Sequence, residues 1–289
     1  MKFTVIGGDM RMVSLAMALE EDGHEICTYA LDNAPEGTVK CCGLTAKLAS
    51  TGADCVILPL PVVNTRGKLN APLSAFTHDP YELIKQLPDG CLICAGKPDE
   101  KLINLASKLP LELVDYFQRE ELVVLNALAT AEGAISVLLR NSPITIWESR
   151  ILIIGAGRIG KMLAERLRDL GAYVTVSARR EADMANIRAM GCKALDTRKL
   201  MGELSEFDTV INTVPAMILD RPRLERLKRD ALIIDLASNP GGTDFEAARE
   251  LDLNTIWALG LPAETAPVTA GRIIKETVLN IINERQKTK

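Results

Sequence analysis

The sequence predicts an α/β fold of two lobes, each a parallel sheet with crossover helices, joined by a bridging helix and closed by a C-terminal helix that returns to the first lobe. Three observations predict it. Short apolar runs alternate with helical patterns along all 289 residues, the signature of parallel sheet. That length suits about two domains of roughly 100–200 residues each. The alternation starts afresh after Pro143, beyond a long helical stretch.

In the first lobe, residues 1–117, the apolar runs place strands at 3–6, 25–29, 55–58, 91–94 and 111–114. Helices at 10–22 and 79–87 lie between them, the second opened by Asp79 as cap and Pro80 at the first helical position. Residues 118–142 form the bridging helix, because Leu122, Leu125, Ala129, Gly133 and Val137 recur at three- and four-residue intervals. The second lobe, 143–266, carries strands at 150–154, 173–177, 193–195, 209–213, 231–235 and 255–258. Its helices fall at 158–170, 181–190, 197–204, 222–229 and 244–251. The final helix, within 267–289, is long enough to cross back onto the first lobe, with a cleft expected between the two. It ends in a charged tail, Glu284 to Lys289.

Composition removes several classes of function. An apolar share of 47% and a charged share of 25% exclude disorder and small disulfide scaffolds. With 34 Lys and Arg against 38 Asp and Glu, a net charge of −4 and no basic run, nucleic acid is not an expected partner. The apolar runs end at Gly or Pro far short of the roughly 18 residues that span a bilayer, so no membrane association is expected. The N-terminus meets Asp9 and Arg11 too soon for an export signal, which predicts a cytoplasmic protein. Seven cysteines, an odd number, then read as reduced thiols. Cys91-Leu-Ile-Cys94 has a spacing known from redox and zinc sites, but inside an apolar run and without a second pair it reads as buried strand; no metal site is expected.

The strongest motif is Gly155-Ala-Gly157-Arg158-Ile159-Gly160, directly after the run Ile151–Ile154 and directly before a helical pattern. That context marks a Rossmann-like dinucleotide turn. Gly155 permits the tight turn, Gly157 lets backbone approach a pyrophosphate, and Gly160 lets helix pack on strand. The helix amides then face the anion. At the end of the next strand an NAD site normally offers an acid for the ribose 2′-hydroxyl. Here Ser177-Ala178-Arg179-Arg180 stands instead, with no acid before Glu181. A carboxylate would repel a 2′-phosphate, whereas two guanidiniums and the Ser177 hydroxyl can hold one, so the expected cofactor is NADP. Two further segments fall where an open sheet places its ligand: Asn212-Thr213-Val214-Pro215, and Asp235-Leu-Ala237-Ser238-Asn239-Pro240-Gly241-Gly242-Thr243.

These residues, together with Gly7-Gly8-Asp9-Met10-Arg11, Leu58-Pro59-Leu60-Pro61, Asn126 to Ala134, Leu261-Pro262 and Ala266 to Gly271, resemble the A-subunit family of dipicolinate synthase. The ordered set spans residues 7–271, nearly the whole chain. The resemblance implies NADP-dependent oxidation of a dihydrodipicolinate-type ring to pyridine-2,6-dicarboxylate, a sporulation metabolite, in company with a flavoprotein-like B subunit. One departure is Ala263-Glu264, where the family pattern leads one to expect Gly and a basic residue.

Such a reaction needs a hydride acceptor, donors for two carboxylates and a proton acceptor. The carboxylate candidates are Arg11 at the opening of the first helix, Ser238 with Asn239, the Gly241 and Gly242 amides, and Thr269 near the start of the last helix. Asp9, Glu132 and His78 are the candidates for proton transfer, Glu132 if burial raises its pKa. Asp9 can equally be a plain helix cap that orients Arg11, and Glu132 part of an ion pair. His24, Lys97, Arg66 and Lys68 read as surface residues. Two other functions share the plan: an amino-acid or 2-hydroxy-acid dehydrogenase, the hydroxy-acid version disfavoured by a content of two histidines, and a nucleotide sensor without turnover. A homo-oligomer, by default a dimer, is expected.

Overall fold

Five short strands open the chain: β1 (Lys2–Ile6), β2 (Glu25–Tyr29), β3 (Cys55–Ile57), β4 (Leu92–Ala95) and β5 (Glu112–Asp115), paired in parallel in the order β2-β1-β3-β4-β5. The structure is a computed structural model that describes residues 1–39 and 43–288. Helices α1 (Met10–Glu21), α2 (Ala46–Ala49), α3 (Pro80–Ile84) and α4 (Glu100–Ala106) connect the strands. The inner strands are apolar on both faces because a core lies on each: one around Phe3, Val5, Leu15 and Ile57, the other around Ile6, Val56, Leu58 and Ile93.

A 22-residue helix, α5 (Glu120–Asn141), follows. The second sheet has six parallel strands, β6 (Arg150–Ile154), β7 (Tyr173–Ala178), β8 (Lys193–Asp196), β9 (Thr209–Asn212), β10 (Leu232–Asp235) and β11 (Asn254–Trp257), in the order β11-β10-β9-β6-β7-β8. Helices α6 (Arg158–Asp169), α7 (Glu181–Ala189), α8 (Arg221–Leu224), α9 (Phe245–Glu250) and α10 (Leu261–Thr265) surround it. The last helix, α11 (Pro267–Thr288), completes the first sheet's unit. One unit thus comprises Met1–Asn126 with Ala266–Lys289, the other Ala127–Thr265.

Helix α11 packs on α1 through Gly271. A Cβ there would lie 2.5 Å from the Arg11 carbonyl oxygen and 2.8 Å from the Leu15 nitrogen, so the backbones meet only because the residue is glycine. Bidentate pairing of Arg119 with Glu284, at 2.7 and 2.6 Å, and of Arg285 with Glu112 ties α11 to the rest of its unit.

The α/β class and both parallel sheets agree with the sequence reading; several helices do not. Residues 197–202 form a 3-10 turn rather than an α-helix, and the segment expected at 222–229 is helical only over Arg221–Leu224. The 79–87 helix stops at Ile84. Helices α2, α4 and α10 have seven residues or fewer, too short to show a 3.6-residue period. Helix α5 is long and apolar enough to cross a bilayer, alone in this among the described residues. Its charged ends and small residues hid that from a search for unbroken apolar runs, and Leu122, Ala131, Ala134 and Leu138 are buried in protein cores. Cys27, Cys55, Cys91, Cys94 and Cys192 are free thiols; Cys41 and Cys42 lie outside the described residues, as does Lys289 of the charged tail. Cys94 is a buried residue of β4, its sulfur 3.8 Å from that of Cys55 on β3.

Candidate functional site

In the second unit the glycine turn joins β6 to α6. Gly155 has φ +106°, and a Cβ on it would lie 2.5 Å from Thr213 Oγ1. A Cβ on Gly160 would lie 2.0 Å from the Gly155 oxygen, so this glycine lets the helix close on the turn. Gly157 differs: a Cβ there would meet nothing within 4 Å, which leaves the turn open on the face where a pyrophosphate needs it. Gly157 is also the N-cap of α6 and gives the helix no side-chain hydrogen bond. The first amides of a 12-residue helix are thus left for an exogenous anion, and the residues present fit a dinucleotide. Arg158 is exposed at the turn, and Ile159 packs its side chain against the core.

The three residues expected to read a 2′-phosphate separate. Ser177 is fully buried, its Oγ accepting from Thr197 Oγ1 at 3.4 Å, because β7 turns that residue inward. Arg180 is exposed, but its Nε and Nη2 donate to the Asp183 carboxylate one turn later, at 2.6 and 3.0 Å. Arg179 is exposed and has no partner among the described residues. No acid stands between Tyr173 and Arg180.

Two strand-end loops of this unit are bound to one acid, the first residue of the 235–243 segment, to which the sequence assigned no role of its own. Asp235, at the end of β10, is fully buried, and its carboxylate accepts four hydrogen bonds. Asn212 Nδ2 and the Ala237 N–H donate to Oδ1 at 2.9 Å each; the Gly242 N–H and Thr243 Oγ1 donate to Oδ2 at 2.9 and 2.7 Å. The signal was an ionisable residue ending the run Leu232-Ile-Ile, in register with Asn212 on β9. This arrangement corrects the expectation for the glycine amides. Gly242 donates to Asp235 and Gly241 to the Ser238 oxygen at 2.8 Å, so neither is left for a substrate carboxylate. The Ala237 backbone is likewise engaged, its oxygen accepting from Trp257 Nε1 at 2.9 Å. Ser238, Asn239 and Pro215 are exposed, and Val214 is half-buried beside Thr213. The Thr213 hydroxyl donates to the Ile154 oxygen at 2.9 Å, which sets it against the glycine turn.

Glu132 lies on α5 in the same unit. Its side chain is 62% exposed and stands 4.0 Å from Arg166 Nε, so it lacks the burial expected of it and stands instead beside a cation.

In the first unit Asp9 and Arg11 form a rigid pair. Asp9 is the N-cap of α1, accepting from the Arg11 amide at 3.0 Å, and it binds the Arg11 guanidinium through Nε at 2.9 Å and Nη2 at 2.8 Å. Nη2 also donates to the Leu60 oxygen, on a loop held by a 2.9 Å bond from the buried Tyr116 hydroxyl to the Leu58 oxygen. Arg11 is nearly buried, and its Nη1 has no hydrogen-bond partner among the described residues. His78 is tied into the same unit: Nε2 is 2.8 Å from Ser74 Oγ and Nδ1 is 3.4 Å from the Tyr29 hydroxyl. Burial lowers its pKa, against a smaller opposing pull from Asp32. Thr269 is an exposed residue in the first turn of α11. Lys97 is exposed, and its amide donates to Asp115 at 2.9 Å.

Comparison with known proteins yields two family models. Residues 2–117 match the N-terminal domain of the dipicolinate synthase A subunit, and residues 129–240 match the NAD-binding domain of D-isomer-specific 2-hydroxyacid dehydrogenases. The A subunit of dipicolinate synthase from Bacillus subtilis is 32% identical over 293 aligned residues, covering 99% of this chain and 97% of that protein. The crystal structure of its counterpart from Bacillus halodurans superposes with a TM-score of 0.87 at 29% identity, over 97% of both chains. The crystal structure of the Bacillus subtilis protein gives 0.86 at 31%, over 100% of this chain and 98% of that one.

Proposed function

This chain belongs to the A-subunit family of dipicolinate synthase, a family of oxidoreductases, with a nicotinamide-binding domain, and on that footing we propose that it oxidises a dihydrodipicolinate-type ring with NADP to give dipicolinate. The single observation that carries the choice of NADP is Arg179: an unpartnered guanidinium at the end of β7, where an NAD site would place an acid. NADP held there would supply the two-electron hydride acceptor for this oxidation, which also releases one proton from the ring.

The chain's own residues do the positioning. The α6 amides would hold the pyrophosphate, Arg179 the 2′-phosphate, and Thr213 to Pro215 with Ala237 to Gly242 would line the nicotinamide end. Arg11, fixed by Asp9, offers Nη1 to one substrate carboxylate, and Ser238 and Asn239 are the polar groups that the 236–243 loop turns outward. Proton transfer falls to Glu132 by availability rather than by burial: the oxygens of Asp9 are committed to Arg11 and His78 Nε2 to Ser74, whereas the exposed Glu132 has only the 4.0 Å pair with Arg166. Its partner in the cell is a flavoprotein-like B subunit, and the free thiols suit the cytoplasm.

Arg179→Ala and Arg180→Ala test the reading separately. Calorimetric titration should show NADPH affinity falling roughly ten- to a hundredfold in the first variant and less than about threefold in the second, with NADH affinity unchanged in both. Equal losses for NADPH and NADH in Arg179→Ala would remove the basis for NADP.

A further inference from the structure

We propose that Asp235 is a positioning residue for the nicotinamide half of the cofactor site; this rests on the reading that the second unit binds NADP. The four donors to its carboxylate come from both strand-end loops. Ala237, Gly242 and Thr243 belong to the 236–243 loop and Asn212 to the 212–216 loop. Asn212 relays the constraint. One of its amide hydrogens goes to Asp235, another to the Val214 oxygen at 3.0 Å, while Oδ1 accepts the Val214 N–H at 3.1 Å.

The two loops then meet at Gly242. A Cβ there would lie 2.2 Å from Asn212 Nδ2, 2.6 Å from the Val214 oxygen and 2.8 Å from the Ala216 oxygen. The Gly242 oxygen in turn accepts the Ile218 and Leu219 amides at 2.9 Å each. One buried carboxylate therefore sets the spacing of the loops proposed to flank the ring.

An acceptor-only group is required at this point. Every neighbour donates, and a carboxylate has about four lone-pair sites, whereas an asparagine would turn an NH2 group against donors. Among the described residues no Lys or Arg lies within ion-pair distance of Asp235. Burying an anion with neutral donors alone is an expensive way to hold a loop. It gains a rigid, preorganised wall in return, and hydride transfer depends on such placement.

The test uses two ligands, NADPH and 2′-phospho-ADP-ribose, which lacks the nicotinamide ring, on the full-length protein and on Asp235→Asn and Thr243→Val. The second variant keeps side-chain shape and deletes one donor, so it decides the matter even if the first does not fold. For both variants the expected result is NADPH affinity lowered several-fold, with 2′-phospho-ADP-ribose affinity within about twofold of the parent. Oxidation of a dihydrodipicolinate deuterated at the carbon that gives up hydride should show an enlarged isotope effect, because a misplaced ring makes hydride transfer slower. Equal weakening of both ligands, or no change in NADPH affinity and isotope effect, overturns the proposal. If the parent protein binds neither ligand, the assignment of the cofactor itself fails, which is a separate and recognisable outcome.

Discussion

The first strands of the two sheets lead on alike. Each passes through a glycine turn, with φ +64° and +98° at Gly7 and Gly8 and +106° at Gly155, into a helix of 12 residues. What stands at the helix N-terminus differs. Helix α6 begins on Gly157 with no side-chain cap, while α1 begins on Asp9, whose carboxylate occupies the helix end and pairs with Arg11. The same backbone scaffold thus ends its helix in opposite ways. In the second unit no side chain occupies the helix end; in the first an internal carboxylate does, and it holds a nearly buried guanidinium.

Giving α6 the cap that α1 already has should produce the largest effect. Gly157 has an ordinary φ of −76° and open space where a Cβ would stand, so Gly157→Asp is compatible with the fold. Its carboxylate would fill the helix end and repel pyrophosphate, lowering NADPH affinity by about a hundredfold or more, some 3 kcal/mol. Thermal stability should stay level or rise, since a capped helix gains up to about 1 kcal/mol. A Gly157→Asp protein that titrates NADPH like the parent would show that the pyrophosphate is held elsewhere.

The reciprocal change, Asp9→Asn, keeps a cap and removes the charge that holds Arg11. Arg11 has only 10% of its side chain exposed, so the loss of its carboxylate partner should lower stability by about 1–2 kcal/mol in urea unfolding. With the guanidinium no longer fixed, substrate kcat/KM should drop roughly tenfold while NADPH affinity is preserved. A parallel loss of NADPH affinity would contradict the division of labour between the two helix ends.

The glycine turn, the strand positions and the missing acid after β7 were legible because each is a local pattern: a run, a spacing, an absence within a few residues. The roles of Ser177, Gly241 and Gly242 were not, because they depend on which way a residue faces and on who has already claimed its hydrogen bond. Ser177 reads as a hydroxyl near a phosphate until β7 turns it inward. Gly242 reads as a spare amide until the loop brings it back seven residues to Asp235. Arg179 and Arg180 are equivalent as letters, and only Asp183, placed one helical turn beyond Arg180, separates them. The short helices escaped for a simpler reason. In α4 the cap Asp99 and first-turn Glu100 are present, but seven residues carry too little period to stand out.

The smallest expected effect sharpens the comparison at a different level, that of protons. Both histidines belong to the first unit. Burial lowers the pKa of His78 below its ordinary 6.5, with Asp32 pulling weakly the other way. The folded state therefore favours the neutral ring, and between the folded and unfolded pKa values the unfolded chain binds more protons. The contribution of His78 is fully present above pH 6.5 and declines as pH falls through the lowered value. Urea unfolding of the parent and of His78→Gln should show a stability difference that shrinks between pH 7.5 and pH 5, by under about 1 kcal/mol because the ring is only partly buried. Hydrogen exchange should locate the change in the first unit's amides around Tyr29 and Ser74, whose side chains contact the ring, and leave β6 and β7 unaffected. A gap that widens in acid would mean that protonated His78 is the form this unit stabilises, and the second unit's independence of it would then be the only part of the contrast to survive.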